Sequence, residues 1–184
     1  MKDLLIIDLE ATCYNSGQEP PGFVSEIIEI GAVLLDATTR TVTGEYQTFV
    51  KPVRFPALSA FCTRLTSIQQ SDVDGGVALG DALAGLVARL YDPQPAVFAS
   101  WGFYDQKQIA AECARRGIAY PFAPEHISLK HEHAAFYQLK RPLGMAAALK
   151  RHGLTLAGTH HRGLDDARNI AQIAARMLAD GWGG

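Results

Sequence analysis

Four consecutive aliphatic residues running into two alternating carboxylates, Leu4-Leu5-Ile6-Ile7-Asp8-Leu9-Glu10, constrain this chain more than any other segment. The unbroken apolar run reads as a buried strand from Asp3 to Glu10. Charged residues rarely end such a strand without a purpose. In extended backbone, residues i and i+2 share a face and lie roughly 6.6 Å apart along the chain. Asp8 and Glu10 can therefore converge on one or two cations. Divalent ions about 3.5–4 Å apart stabilise the attacking and leaving oxygens of phosphoryl transfer together. A polar strand end facing solvent explains Asp-x-Glu alone equally well.

The remaining chain divides by hydrophobic period. Ile27 to Leu35 and Tyr46 to Val50 supply two further strands, with turn chemistry at Asp36 to Thr39 that makes them a hairpin. The loop from Tyr14 to Gly22 breaks regularity. After Pro52, helices are predicted at Ser67 to Val73 and at Leu79 to Tyr91, the latter stopped by Asp92-Pro93. Ala96 to Ser100 is a short strand, Tyr104 to Arg116 a helix stopped by Gly117, and Ile127 to Leu129 a final strand. Helices follow near Leu143 to His152 and Gly163 to Asp180. A three-strand antiparallel meander followed by β-α crossovers predicts an α/β fold, a mixed sheet flanked by helices as in ribonuclease-H-like proteins.

At 184 residues the chain fits one domain, residues 1–184, able to bury a core without disulfides or zinc. No apolar stretch approaches a membrane span, and the N-terminus lacks signal-peptide organisation. Cys13, Cys62 and Cys113 match neither a zinc site nor a disulfide framework, so free thiols in a reducing cytoplasm are expected. The net charge of −2 carries no global signature of a nucleic-acid binder. All six histidines lie between His126 and His161, however, alongside Lys130, Lys140, Arg141, Lys150, Arg151 and Arg162. That basic last third is either a solvated surface or a strand-gripping rim.

Two further segments carry carboxylates. Asp105 follows the apolar strand at a helix start, where aspartate also serves simply to compensate the helix dipole. In His160-His161-Arg162-Gly163-Leu164-Asp165-Asp166, helical phase separates the aspartates. Asp166 shares a face with Ile170, Ile173 and Met177, whereas Asp165 shares one with Asn169, Gln172 and Arg176. An inward carboxylate is costly to bury unless it meets a cation. Asp166 is therefore the expected ligand, and Asp165 a solvated first-turn residue. Phase cannot choose between the histidines, because both precede the helix.

In order, Asp8-Leu9-Glu10-Ala11-Thr12-Cys13, Ser100-Trp101-Gly102-Phe103-Tyr104-Asp105 and His161-Arg162-Gly163-Leu164-Asp165-Asp166 resemble the three motifs of the DEDDh 3′→5′ exonuclease family. Within it, the chain resembles the branch of exoribonucleases that trim small RNAs, ribosomal RNA and histone-message ends. Glu26 to Ala32, Phe61 to Ile68 and Gly163 to Ala171 add matches, so the likeness runs nearly end to end. The family places its histidine five residues before the last aspartate, which pairs His161 with Asp166 and makes His160 a neighbour.

The resemblance implies that Asp8, Glu10 and Asp166 hold one metal, and that Asp8 and Asp105 serve a second, Asp105 through water. His161 becomes the general base, an imidazole titrating near neutrality. Oxygen ligands alone suit Mg²⁺ or Mn²⁺. The implied partner is the 3′ end of a single strand, RNA favoured over DNA, and the product a nucleoside 5′-monophosphate. Ala11, Thr12, Leu65 and Tyr104 match positions that hold the terminal nucleotide, although core packing accounts for Leu65 and Tyr104 equally well. Ser128 departs from the aspartate or asparagine common in relatives, and the branch's RNA-targeting accessory domains have no match here. Relatives include dimers, but no surface stripe marks a homodimer interface. The competing expectations are a DNA proofreading or repair exonuclease, and a non-catalytic nucleic-acid-binding domain that kept the fold.

Overall fold

A computed structural model describes residues 2–91 and 96–183. The buried strand forms as β1 (Asp3–Ala11) and pairs antiparallel with β2 (Ile27–Asp36), which pairs antiparallel with β3 (Thr41–Phe49). Asp36 closes the β2–β3 turn, its carboxylate accepting the N–H groups of Thr38 and Thr39 at 2.8 Å each. Next come α1 (Ala60–Thr66), α2 (Gln70–Asp74), α3 (Leu79–Leu90), β4 (Ala96–Ser100) and α4 (Tyr104–Arg116). The chain continues through β5 (His126–Ser128), α5 (Leu129–Phe136), α6 (Met145–Arg151) and α7 (Gly163–Ala179). The sheet runs β3-β2-β1-β4-β5, with β1–β4 and β4–β5 parallel. This is the mixed, helix-flanked, ribonuclease-H-like sheet expected from the strand and helix pattern.

Several boundaries differ for local reasons. The helix predicted over Ser67 to Val73 forms as α2 alone, starting at Gln70; α1 before it was not predicted, and a left-handed Ser67 (φ 61°) ends α1 and separates the two. Ser59 starts α1, its hydroxyl accepting the Cys62 N–H at 2.9 Å. Strand β3 begins at Thr41 rather than Tyr46, since its first residues form an exposed sheet edge with no apolar alternation to read. β5 begins at His126 and ends at Ser128, one residue ahead of the expected span. Helix α5 was not predicted: its turns are largely polar, and it buries Leu129, His133 and Ala134. The stop signal Asp92-Pro93 lies outside the described residues.

Strand alternation divides the core. Leu4, Ile6, Val33, Leu35, Val97 and Ala99 pack on one face against Leu129 of α5, Leu149 of α6 and Ile170 and Ile173 of α7. Leu5, Ile7, Leu9, Ile30, Ala32 and Phe98 pack on the other against α3 and α4. A register shift between Glu10 and Ala11 leaves Ile28 as the extra residue of β2, a bulge that bends the strand end beside the carboxylates. Ile28 packs in a third cluster with Cys62, Ile68 and Val73.

Gly31 sets where α7 begins. It pairs with Asp8 in register, and a Cβ there would lie 1.9 Å from the carbonyl carbon of Gly163. The helix N-terminus thus rests directly on the backbone of β2. Gly31→Ala is expected to cost at least about 3 kcal/mol, the upper end of core overpacking, because the clash is with backbone. For a chain of this size that corresponds to a fall of about 6–12 °C in Tm. A thermal melt within about 2 °C of the wild type would contradict this packing.

Candidate active site

The same alternation that sorts the core builds the site. Asp8 and Glu10 continue the Leu4 and Ile6 face, so both point toward α7, which delivers Asp166 from its first turn. Carboxylate oxygens of Asp8, Glu10 and Asp166 lie within 4.8 Å of one another. Glu10 and Asp166 are buried, at 8% and 4% exposure. Asp105 opens α4 just after β4, buried, with its Oδ1 accepting the Leu9 N–H at 3.1 Å. It stands outside the 4.8 Å group. All four lie toward the carboxyl ends of β1 and β4, where the sheet changes from antiparallel to parallel pairing and a crevice opens.

Both histidines reach the cluster, by different groups. His160 Nδ1 lies 3.0 Å from Asp166 Oδ2, and the His161 backbone N–H donates to the same oxygen at 3.0 Å. The two imidazoles stack, 4.0 Å between centroids and 7° apart in plane. His161 has a left-handed backbone, φ 65°, a conformation uncommon for a non-glycine residue and concentrated at functional positions. Burial pushes the His161 imidazole below its ordinary pKa, as does the neighbouring His160. Spacing alone did not reveal that His160 holds the side-chain contact to Asp166.

Buried Glu29 fixes the approach of α7, and sequence reading assigned it no role. Its carboxylate accepts the Gly163 N–H at 3.1 Å and the Arg162 Nε–H at 3.1 Å, and it also meets Gln47. A lone carboxylate inside the apolar strand Ile27 to Leu35 was the signal that could have found it. Asp165 is not simply solvated. It accepts the Thr159 N–H at 2.8 Å and pairs with Arg168 at 3.2 Å. Fully buried Asn169 pins Ala157 through both backbone groups, at 2.9 and 2.8 Å. Together they hold the loop that carries the histidines.

The carboxylates are electrostatically uncomfortable without a cation. Burial first, then Asp166, Glu29, Cys62 and Asp105, push Glu10 up to about 8. Asp8 is raised well above the usual range by burial and then by Asp105, Asp166 and Glu10, and Asp105 is raised by burial to about 6. Asp166 Oδ1 is buried without a hydrogen-bond partner. Converging acidic oxygens with an orphaned acceptor fit a hard divalent cation.

A pH dependence follows. The unfolded chain releases the Glu10 proton near pH 4.3, whereas the folded protein retains it to about 8. Between those values the folded state binds more protons, so its stability falls as pH rises. In EDTA, Tm is expected to drop between pH 5 and pH 8, and Mg²⁺ or Mn²⁺ is expected to reverse the drop at pH 8. A Tm at pH 8 indifferent to cations would contradict the reading.

The carboxylates floor a cleft of about 360 Å³ that is also lined by Leu9, Trp101, Tyr104, Gly144, Met145 and both histidines. Tyr104 and Leu65 are 53% and 38% exposed, so neither is core packing. Leu65 lies on α1 and outside the cleft lining. Ala11 and Thr12 are buried. Thr12 closes the end of the β1–β2 pair, its Oγ1 accepting the Glu26 N–H at 2.9 Å and its own N–H donating to the Glu26 carbonyl at 2.8 Å. The three cysteines carry free thiols. No described helix is long and apolar enough to cross a membrane.

Residues 5–174 match a family model described as "Exonuclease". ERI1 exoribonuclease 2 of Homo sapiens is 34% identical over 97% of this chain, which spans 28% of that relative. The 3'-5' exonuclease Snipper of Drosophila melanogaster is 32% identical over 97% of this chain and 70% of its own. The chain thus spans 28–35% of the length of the ERI1 exoribonuclease 2 sequences it matches. Among solved structures, the nuclease domain of 3'hExo, a DEDDh family member, bound to rAMP, superposes with a TM-score of 0.88. It is 32% identical, and the match covers 98% of this chain and 94% of that one.

Proposed function

Since the chain belongs to the DEDDh exonuclease family, we propose that it hydrolyses nucleotides from the 3′ end of single-stranded nucleic acid, RNA in preference to DNA. The observation that carries this reading is the convergence of Asp8, Glu10 and Asp166 within 4.8 Å, beside buried Asp105 and the two histidines, in one cleft.

The family implies divalent metal ions, and the donor set suits two, Mg²⁺ or Mn²⁺. Asp8, Glu10 and Asp166 would hold one, Asp8 and Asp105 the other. When bound, such ions neutralise phosphate charge and acidify water. His161 accepts the proton of the attacking water as general base, and its depressed basicity keeps it neutral and ready near pH 7. His160 and the Asp166 oxygen orient the loop that presents it. Tyr104 and Leu65 offer apolar surface to the terminal base, and the backbone at Ala11 and Thr12 borders its sugar. Water attack with departure of the 3′-oxygen releases a nucleoside 5′-monophosphate.

RNA is favoured because the curated relatives include named exoribonucleases and the 3'hExo domain was solved with rAMP. The DNA reading uses the same five residues and differs only in contacts to the 2′-hydroxyl. A non-catalytic domain fits poorly with a full set of carboxylates kept at electrostatic cost. We take residues 1–184 as one exonuclease unit and, from its free thiols, place it in the cytoplasm. A digestion panel of matched single- and double-stranded RNA and DNA with Mg²⁺ or Mn²⁺ tests the substrate class. Single-stranded RNA should be shortened fastest. Faster shortening of DNA would transfer the assignment to the DNA reading.

A further inference from the structure

The mechanism leaves unused a pair of flat rings at the cleft's outer edge. Phe103 immediately precedes the cleft residue Tyr104, and it is 44% exposed. Its ring stacks on the imidazole of His131, with centroids 4.8 Å apart and 27° between planes. His131 is exposed, and its Nδ1 is held by the Ser128 hydroxyl at 2.6 Å. Lys107 Nζ lies 5.9 Å from the Phe103 centroid. An exposed phenyl ring set against a tethered imidazole, with a cation beside it, has the form of surfaces on which single-stranded bases stack.

The charge around it matches. Exposed Lys140 and Arg141 lie on the connection between α5 and α6. That connection is tied to the cleft by the Trp101 indole, which donates to the Leu143 carbonyl at 3.2 Å, and its end residues Gly144 and Met145 line the cleft. Among the described residues, Lys107, Lys130, Lys140 and Arg141 have no carboxylate ion-pair partner. The neighbouring carboxylate, Glu132, accepts from the Trp182 indole. An unpaired cation, Lys107, thus stands beside the aromatic platform, and two more, Lys140 and Arg141, lie on the connection that ends at the cleft. The terminal base is assigned to other side chains, Tyr104 and Leu65, which leaves Phe103 and His131 for a base further along the strand.

We propose that Phe103 and His131, flanked by Lys107, form a stacking site for a base upstream of the terminal nucleotide, with Lys140 and Arg141 along the phosphates that follow. The proposal rests on the exonuclease reading above. It explains how a chain of net charge −2 grips a single strand: stacking needs no global positive field, and an upstream base is free to stack only where the strand is unpaired.

The test is an abasic scan. Pentaribonucleotides with one base deleted at positions 2, 3 or 4 from the 3′ end are compared with the intact strand, on wild type and on Phe103→Ala. Release of terminal nucleotides from the intact strand by the wild type is established first, and its absence would fell the exonuclease reading itself. Given that release, deletion at one upstream position should lower wild-type kcat/KM about 10-fold, within the range of base–aromatic stacking. Phe103→Ala should lose about the same factor on the intact strand, chiefly through KM, and nothing further on that abasic strand. Phe103→Trp should restore the wild-type sensitivity, which a merely structural role would not. If the losses from Phe103→Ala and from base deletion multiply at every upstream position, or if Phe103→Ala matches wild type, the stacking site is overturned while the exonuclease reading stands.

Discussion

Asp8→Asn is expected to lower Mg²⁺-dependent release of nucleotides by about 10³-fold or more, while raising the Tm of the cation-free protein at pH 8. Both effects have one origin. Asp8 is the carboxylate shared between the proposed cation positions, and ions in such sites supply several kcal/mol of charge stabilisation, each 1.36 kcal/mol being tenfold in rate. Without cations the same residue is a liability, pressed by burial and by Asp105, Asp166, Glu10 and Glu29. An amide of equal shape keeps the packing and removes the repulsion. Rate assays with a paired melt in EDTA check the two together. Undiminished release would contradict the catalytic assignment and return the non-catalytic reading to favour.

His161→Ala is expected to lower kcat by about 10²–10⁴-fold, the range for a lost general base, and His160→Ala by less than about tenfold. His160 already uses its Nδ1 on Asp166, whereas His161 spends only its backbone N–H there, from a left-handed conformation. A general base must be neutral, and burial lowers the His161 pKa. The acid limb of the wild-type pH profile should therefore fall below about pH 6.5, the ordinary histidine value, and should vanish in His161→Ala. Greater damage from His160→Ala would reverse the assignment of the pair.

Features governed by short-range periodicity were legible in the sequence. Alternation in Leu4 to Glu10 gave Asp8 and Glu10 a common face, and the 3.6-residue period turned Asp166 inward, where it is buried. Features set by tertiary contact were not. Asn169, on what reads as the outer face of α7, is fully buried because the loop at Ala157 folds over it. Asp165 became a staple for that same loop. The role of Glu29 depends on Arg162 and Gly163, more than a hundred residues away. Helix α5 escaped prediction because it buries a histidine among polar turns, and α1 because a left-handed Ser67 separates it from α2. Leu65 and Tyr104 read equally well as core, since exposure of an apolar residue leaves no mark on its own sequence.

The most direct test of the central claim is one turnover on single-stranded RNA in ¹⁸O-labelled water with Mg²⁺, followed by mass spectrometry of both fragments. Direct attack of water on the terminal phosphodiester predicts one ¹⁸O in the phosphate of a released nucleoside 5′-monophosphate, and a shortened strand ending in an unlabelled 3′-hydroxyl. Label on the residual strand, nucleotides released from the 5′ end, or a cyclic phosphate product would contradict it.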